Sequence, residues 1–220
     1  MRQQKHRNIP VSLFWGVVVL LCVAPLAAQT THTPEDATTG VSLFARGQFS
    51  AAQQFFETFV RQRPTDPVGV YYLGRLAFES KQYEQASTWF EKTVKLDSNN
   101  SDYHLWLGRA YGEQAQHAEG DAFFLARKVK KHLETAVTLN PDNLDARSDL
   151  LDYYLQAPPL VGGDAAKARA QAQEITKRDA EEGRKAWQKC EQVDSLIPVE
   201  AAPPREAVSP PQDEPAGTGQ

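Results

Sequence analysis

At 220 residues, with 41% hydrophobic and 24% charged side chains, the chain has an ordinary globular balance and is long enough for one compact domain flanked by tails. Its net charge of −4 is the wrong sign for wholesale binding of phosphate backbones.

The first 28 residues form an expected export leader. Arg2, Lys5, His6 and Arg7 make a cationic start, and Val11 to Val23 is apolar apart from Ser12 and Gly16. Pro25 and the small pair Ala27-Ala28 follow, completing the three-part layout of a secretory signal. Cleavage removes Arg2, Lys5 and Arg7 but no acid, taking the net charge from −4 to −7, and leaves Cys190 as the remaining cysteine. No internal disulfide can then form, so stability has to come from packed helices. The stretch from Ile9 to Ala28 approaches bilayer-spanning length, so a retained leader serves as a membrane anchor. Residues 29–34 read as a linker.

From Glu35 the chain repeats. Gly40, Gly74 and Gly108 fall 34 residues apart, as do Phe49 and Tyr83, Ala52 and Ala86, and Phe56 and Phe90. Unit one, residues 35–66, has a helix through Gly40, Leu43 and Phe44, a turn at Gly47-Gln48, and a second helix for which Ser50 is the expected N-cap. Phe49, Ala52, Phe56 and Phe59 share a face of that helix. In unit two, 67–100, Tyr83, Ala86, Phe90 and Val94 form the facing stripe, and Gly74 has no side chain to hold the helices apart. Unit three, 101–142, opens with Tyr103, Leu105, Trp106-Leu107-Gly108 and Tyr111. It then carries nine extra residues, placed around 112–120 between its helices, before Leu125, Val129, Leu133 and Ala136.

Unit four, 143–180, is divergent: Leu151 stands where the glycine is expected, and Pro158-Pro159 and Gly162-Gly163 split its helices with a shaped loop. Asp164 caps the next helix, whose Ala165, Ala168, Ala172 and Ile175 suit tight packing. A last helix over 181–194, with Trp187 and Cys190, reads as a polar-backed cap. Cys190 is taken as a half-buried apolar contact, with pairing between chains as the alternative if it is exposed. The segment 196–220 is rich in proline and poor in apolar residues, and disorder is expected there.

Leu73-Gly74, Leu107-Gly108-Arg109-Ala110-Tyr111, Ala52 with Phe56, Ala86 with Phe90, and Pro64 carry a 34-residue signature. On these residues the chain resembles a tetratricopeptide repeat protein. The resemblance runs from about Glu35 to Asp194. It implies an all-α solenoid of about four helical hairpins with a C-terminal capping helix, acting as a non-catalytic scaffold that binds a protein or peptide. With the leader, the setting expected is a bacterial cell envelope, periplasmic or anchored in the inner membrane.

No catalytic constellation emerges. His104, His117 and His132 lie on separate helical stretches, and neither a nucleophile elbow nor a phosphate loop is present, so no metal, cofactor or enzymatic activity is expected. Arg127-Lys128, Lys130-Lys131 and His132 form a basic run without aromatic interleaving, which reads as a solvated helix face rather than a nucleic-acid site. Contact of that run, 127–132, with anionic lipid or cell-wall polymer is the rival function.

By the resemblance, the first helix of each unit lines a concave groove. The family's register selects Tyr71, Arg75, Phe78 and Glu79 in unit two, Asp102, Leu105, Arg109 and Glu113 in unit three, and Asp145, Ser148 and Asp152 in unit four. The lysine and asparagine pattern of a carboxylate clamp is absent, and the mixed charges with Tyr71 and Phe78 suit a peptide anchored by an aromatic. The bland alternative is that Arg75, Glu79, Arg109 and Glu113 form inter-repeat ion pairs of little energetic value.

Overall fold

The computed structural model describes residues 36–118 and 120–196, so the expected leader, the linker and nearly all of the expected tail lie outside the described residues. Regular structure among the described residues is helical: α1 (Thr38–Ala45), α2 (Phe49–Gln62), α3 (Pro67–Glu79), α4 (Tyr83–Leu96), α5 (Ser101–His117), α6 (Ala122–Leu139), α7 (Leu144–Gln156), α8 (Ala165–Arg178) and α9 (Ala180–Leu196), with a single 3-10 turn at Pro159–Val161. Helices pair in chain order as hairpins, each hairpin packs on the next, and α9 closes on α8. The first helices also adjoin one another, α3 with α5, α5 with α7, and α7 with α9. They therefore line one side of the array.

Capping chemistry sets where most of these helices begin. Asp66 accepts from the Val68 amide at 2.9 Å with Pro67 at the first helical position, and Asn100 accepts from the Asp102 amide at 2.9 Å. Asn143, Asp164 and Asp179 cap α7, α8 and α9 in the same way. Each satisfies an amide that the first turn leaves without an intrahelical partner. Ser50 is not a cap. The second helix of unit one starts two residues earlier, its N-cap is Gln48 without a side-chain bond, and the tight Gly47 turn delivers the chain directly into the helix. Lys81 occupies the equivalent turn of unit two with φ of 59°, so the turn geometry persists where glycine is lost.

The nine extra residues of unit three do not form a loop. α5 has 17 residues against 13 in α3, and α6 has 18 against 14 in α4, so eight of the nine add about one turn to each helix and one lengthens the connection. The segment has no proline to resist helix propagation, and both added turns present a face to the partner helix.

The core runs along the helix interfaces. Phe56, Phe90, Leu105, Leu107 and Leu151 are among the most deeply buried side chains. A smaller cluster around Phe56, Leu73 and Leu76 closes the N-terminal end, and Trp89 packs against both parts. Phe59 fits because it faces Gly69, where a β-carbon would lie 2.7 Å from its ring. Unit four inverts the size pair seen in unit two. Gly74 lies under Phe90, whereas Leu151 takes the glycine position and Ala172 holds in α8 the place that Phe90 holds in α4. Leu151 and Ala172 are both fully buried, so volume is kept while its owner changes helix. Cys190 is 2% exposed, more deeply buried than expected, which removes the condition for pairing between chains.

Candidate partner-binding site

On the side lined by α3, α5 and α7, Trp106 lies between two guanidinium groups. Arg75 sits 3.6 Å and Arg109 4.8 Å from the centre of its ring system. Such stacking leaves the guanidinium edges available to hydrogen-bond acceptors. Arg75 also donates to the Tyr71 hydroxyl at 3.1 Å, approaches Glu79 at 4.0 Å and lies over Phe44. Its Nε is buried with no hydrogen-bond partner among the described residues. Arg109 grips Asp149 with two donors, at 2.5 and 3.3 Å, and reaches Asp145 at 3.7 Å. Lys189 of α9 donates to both oxygens of Asp152 at 2.8 and 2.7 Å. These links brace units two to four and the terminal helix across one face.

The two ends of the Arg109–Asp149 pair respond to different balances. Burial lowers Arg109, but the hydrogen bond and charge of Asp149 outweigh it and the guanidinium is raised overall. Burial, the largest cause, together with the charges of Asp145 and Asp152 leaves the Asp149 carboxyl raised against the hydrogen bond and charge of Arg109. The contact geometry is bidentate, so the pair is formed although burial opposes the charge of both partners. Removing one partner from such a pair costs more than the intact pair contributes.

Of the eleven groove residues expected from the sequence, most face this side, in unequal roles. Phe78 packs edge-on to Trp106 at 5.3 Å and, with Trp106, Arg109, Glu113, Asp149 and Asp152, lines a cleft of about 500 Å³. Tyr71 is half-buried among Tyr72, Phe90 and Tyr103, and burial is the main cause of its raised pKa. Glu79 and Asp145 are exposed, and Ser148 is half-buried on α7. Asp102 is exposed but accepts from the Asn143 side chain at 2.9 Å, tying α5 to the start of α7. Leu105 does not belong to the site. It is 2% exposed and part of the main core, because its flank of α5 turns toward the neighbouring helices. Arg109 pairs with Asp149 and Asp145 of the next unit, an inter-repeat ion pair as the bland alternative has it, whereas Arg75 approaches Glu79 within its own helix.

Three residues of this face were not among those expected, Trp106, Asp149 and Lys189, and for the first two a signal was present. Helical spacing carried the signal: Asp102, Trp106, Arg109 and Glu113 recur at intervals of four, three and four, and Asp145, Asp149 and Asp152 repeat it. The third and fourth units thus present a stripe centred one residue further along than the register chosen.

The three histidines are not all apart, as the sequence implied. His104 and His132 meet across the α5–α6 interface with their Nδ1 atoms 3.0 Å apart, remote in sequence but adjacent once the hairpin closes. His104 Nε2 lies 3.1 Å from the Ser98 carbonyl and must donate to it, so His132 Nδ1 donates to His104 Nδ1.

Residues 43–110 match the family model for the tetratricopeptide repeat. Over that stretch the chain carries tetratricopeptide repeats. Over 153 residues it is 28% identical to mouse superkiller complex protein 3, covering 67% of this chain but spanning only 9% of that protein's length. Its fold is similar to TTC0263, a thermophilic repeat protein of Thermus thermophilus, with a TM-score of 0.57 and 22% identity over 70% of this chain and 79% of that one. It is also similar to YrrB, described as a TPR protein with an unusual peptide-binding site, with a TM-score of 0.53 and 15% identity over 72% and 84% of the two chains. Likeness at these identities shows the fold of this repeat protein, an all-helical solenoid.

Proposed function

We propose that the protein is a non-catalytic interaction scaffold whose concave face takes a cationic peptide segment of a partner. The observation that carries this reading is the charge of the face. Glu79, Asp102, Glu113, Asp145, Asp149 and Asp152 set six carboxylates against Arg75, Arg109 and Lys189, and Glu113, Asp149 and Asp152 line the cleft with Phe78 and Trp106. Basic side chains of a ligand meet an excess of acid there, while an apolar side chain finds the aromatic cleft. A solved protein of similar fold is described by its peptide-binding site, which supports using the groove in this way.

Titration of the purified chain with lysine- and arginine-rich dodecapeptides against aspartate- and glutamate-rich ones tests it. The cationic set should bind, and Glu79→Lys with Glu113→Lys should weaken it at least about tenfold, or 1.4 kcal/mol. Preference for the acidic set overturns the reading. Arg109→Glu is unsuitable as a groove probe. It leaves Asp145 and Asp149 facing a third carboxylate in a half-buried place and is expected to cost about 2–3 kcal/mol of stability, discounted for partial exposure from the 3–5 kcal/mol typical of a broken buried pair.

The proposal extends to location: the cationic start and apolar run of residues 2–28 support export to the cell envelope. A reporter that is active only outside the cytoplasm, fused after Gln29, should show activity; silence of that fusion beside an active cytoplasmic reporter refutes export.

A further inference from the structure

The opposite charge pattern appears where α6 meets the loop between α7 and α8. That loop is tightly built. The Tyr153 hydroxyl donates to the Val161 carbonyl at 2.8 Å, the Asp164 amide donates to the Tyr154 carbonyl at 2.9 Å, and Val161 is buried. Gly162 has φ of 102°, and a β-carbon on Gly163 would lie 1.7 Å from the Ala157 carbonyl oxygen. Backbone bonds, a left-handed residue and a close backbone approach together hold one conformation. The conformation presents Leu160 at 82% exposure. A well-fixed turn that places a leucine in water gains nothing for the fold by doing so.

Beside Leu160 runs a cleft of about 700 Å³ shared with Phe123, Arg127, Lys130 and Lys131 of α6. Lys130 extends across Gly162, where its ammonium would lie 2.6 Å from an added β-carbon. Phe124, 65% exposed, packs edge-on to Phe123 at 5.8 Å, and Arg127 lies 6.0 Å from the Phe123 ring centre. Glu134 is the acid in the cleft, engaged by the Tyr154 hydroxyl at 2.8 Å and by Lys130 at 3.9 Å. The basic run is therefore not the aromatic-free solvated face expected from the sequence. It is a cationic strip edged by exposed apolar side chains on both the helix and the loop.

We infer that this surface docks on an anionic lipid bilayer, with Leu160 and Phe124 entering the headgroup boundary and Arg127, Lys130 and Lys131 meeting lipid phosphates. Two features select a bilayer over a soluble anion. The cations answer the phosphates by charge, and the exposed leucine and phenylalanine answer only an apolar layer beneath them. The concave face, with its excess of carboxylates, lies on other helices, so this surface is independent of the proposed groove.

Lysine footprinting on the full chain tests the inference, because it reads each position separately from any membrane contact made by the leader. The chain is acetylated alone, with phosphatidylcholine vesicles, and with equimolar phosphatidylcholine and phosphatidylglycerol vesicles. Lys130 and Lys131 should be protected by the anionic vesicles alone, while Lys185 on α9 reacts equally throughout. Leu160→Ser should reduce the protection on the order of fivefold, since apolar burial adds to the electrostatic attraction. Rising salt should also reduce it. Unchanged labelling at Lys130 and Lys131 overturns the inference. So does equal protection by zwitterionic vesicles, or equal protection by soluble polyphosphate with no dependence on Leu160.

Discussion

Phe90→Ala should lower unfolding stability by about 3–5 kcal/mol, and adding Gly74→Leu should restore more than half of that loss. Phe90 is fully buried, and a β-carbon at Gly74 would lie 2.6 Å from its ring, so each residue occupies space the other leaves. Truncating the ring opens a cavity; leucine at position 74 grows into it. The same protein already carries that solution in unit four, where Leu151 stands in the glycine place and Ala172 in the phenylalanine place. Gly74→Leu alone should cost about 3 kcal/mol, because the added side chain meets a ring that has no room to move. Urea denaturation of the four variants gives the coupling directly. A double variant no more stable than the sum of the single losses would show that the two positions do not share volume, and that the inversion in unit four has another origin.

Acid should loosen the third hairpin well above the pH at which ordinary carboxylates are protonated. Burial is the first cause that lowers His132, followed by the charge of His104 and then of Lys131, and its pKa falls to about 4. Burial also lowers His104. The hydrogen bond adds to this at His104: with His132 donating, a second proton on His104 Nδ1 would set two donors against each other, whereas at His132 burial and the neighbouring charges oppose the proton. Around the pair lie Tyr111 and Lys128, joined through the Tyr111 ring, Lys131 on α6, and Glu91 on α4, which receives the Tyr111 hydroxyl.

The sign follows from the depressed value. The unfolded chain takes up the proton near pH 6.5 and the folded chain resists to about 4, so stability is complete above pH 6.5 and declines as the pH falls through that window. By pH 5 the loss should be about 1–2 kcal/mol, allowing for partial exposure of His132. Denaturation midpoints at pH 7.5 and 5.0 measure it. His132→Gln keeps a donor for His104 without a titrating ring and should flatten the decline. Equal slopes in the two proteins would assign the acid sensitivity elsewhere.

Local chemistry decided much of this molecule, and the sequence alone reveals that part. The 34-residue return of Gly40, Gly74 and Gly108, with aromatic residues repeating beside them, determined the helical hairpin array, because each hairpin has an apolar face that only a neighbouring hairpin can cover. Asp164 was legible as a cap, since capping depends on residues two or three positions away. Ser50 misled for the same local reason: a good capping residue stood next to a turn that had already started the helix.

What the sequence left open depended on residues brought together from different helices. The extra segment of unit three zipped into longer helices because its residues had partners across the hairpin, which no count of insertions reveals. Trp106 became part of the groove by lying between Arg75 and Arg109, 31 residues from the first of them, and Asp149 by receiving Arg109 from 40 residues away. Leu105 turned inward although the family register pointed it outward, because the stripe in units three and four is shifted along the helix. The pairing of His104 with His132 and the placing of Leu160 beside Arg127 and Lys131 arose likewise from hairpin closure and loop geometry. Periodicity specifies which face of a helix is buried, whereas side-chain partners across an interface are set by how the helices stack, and that was decided only by the tertiary structure.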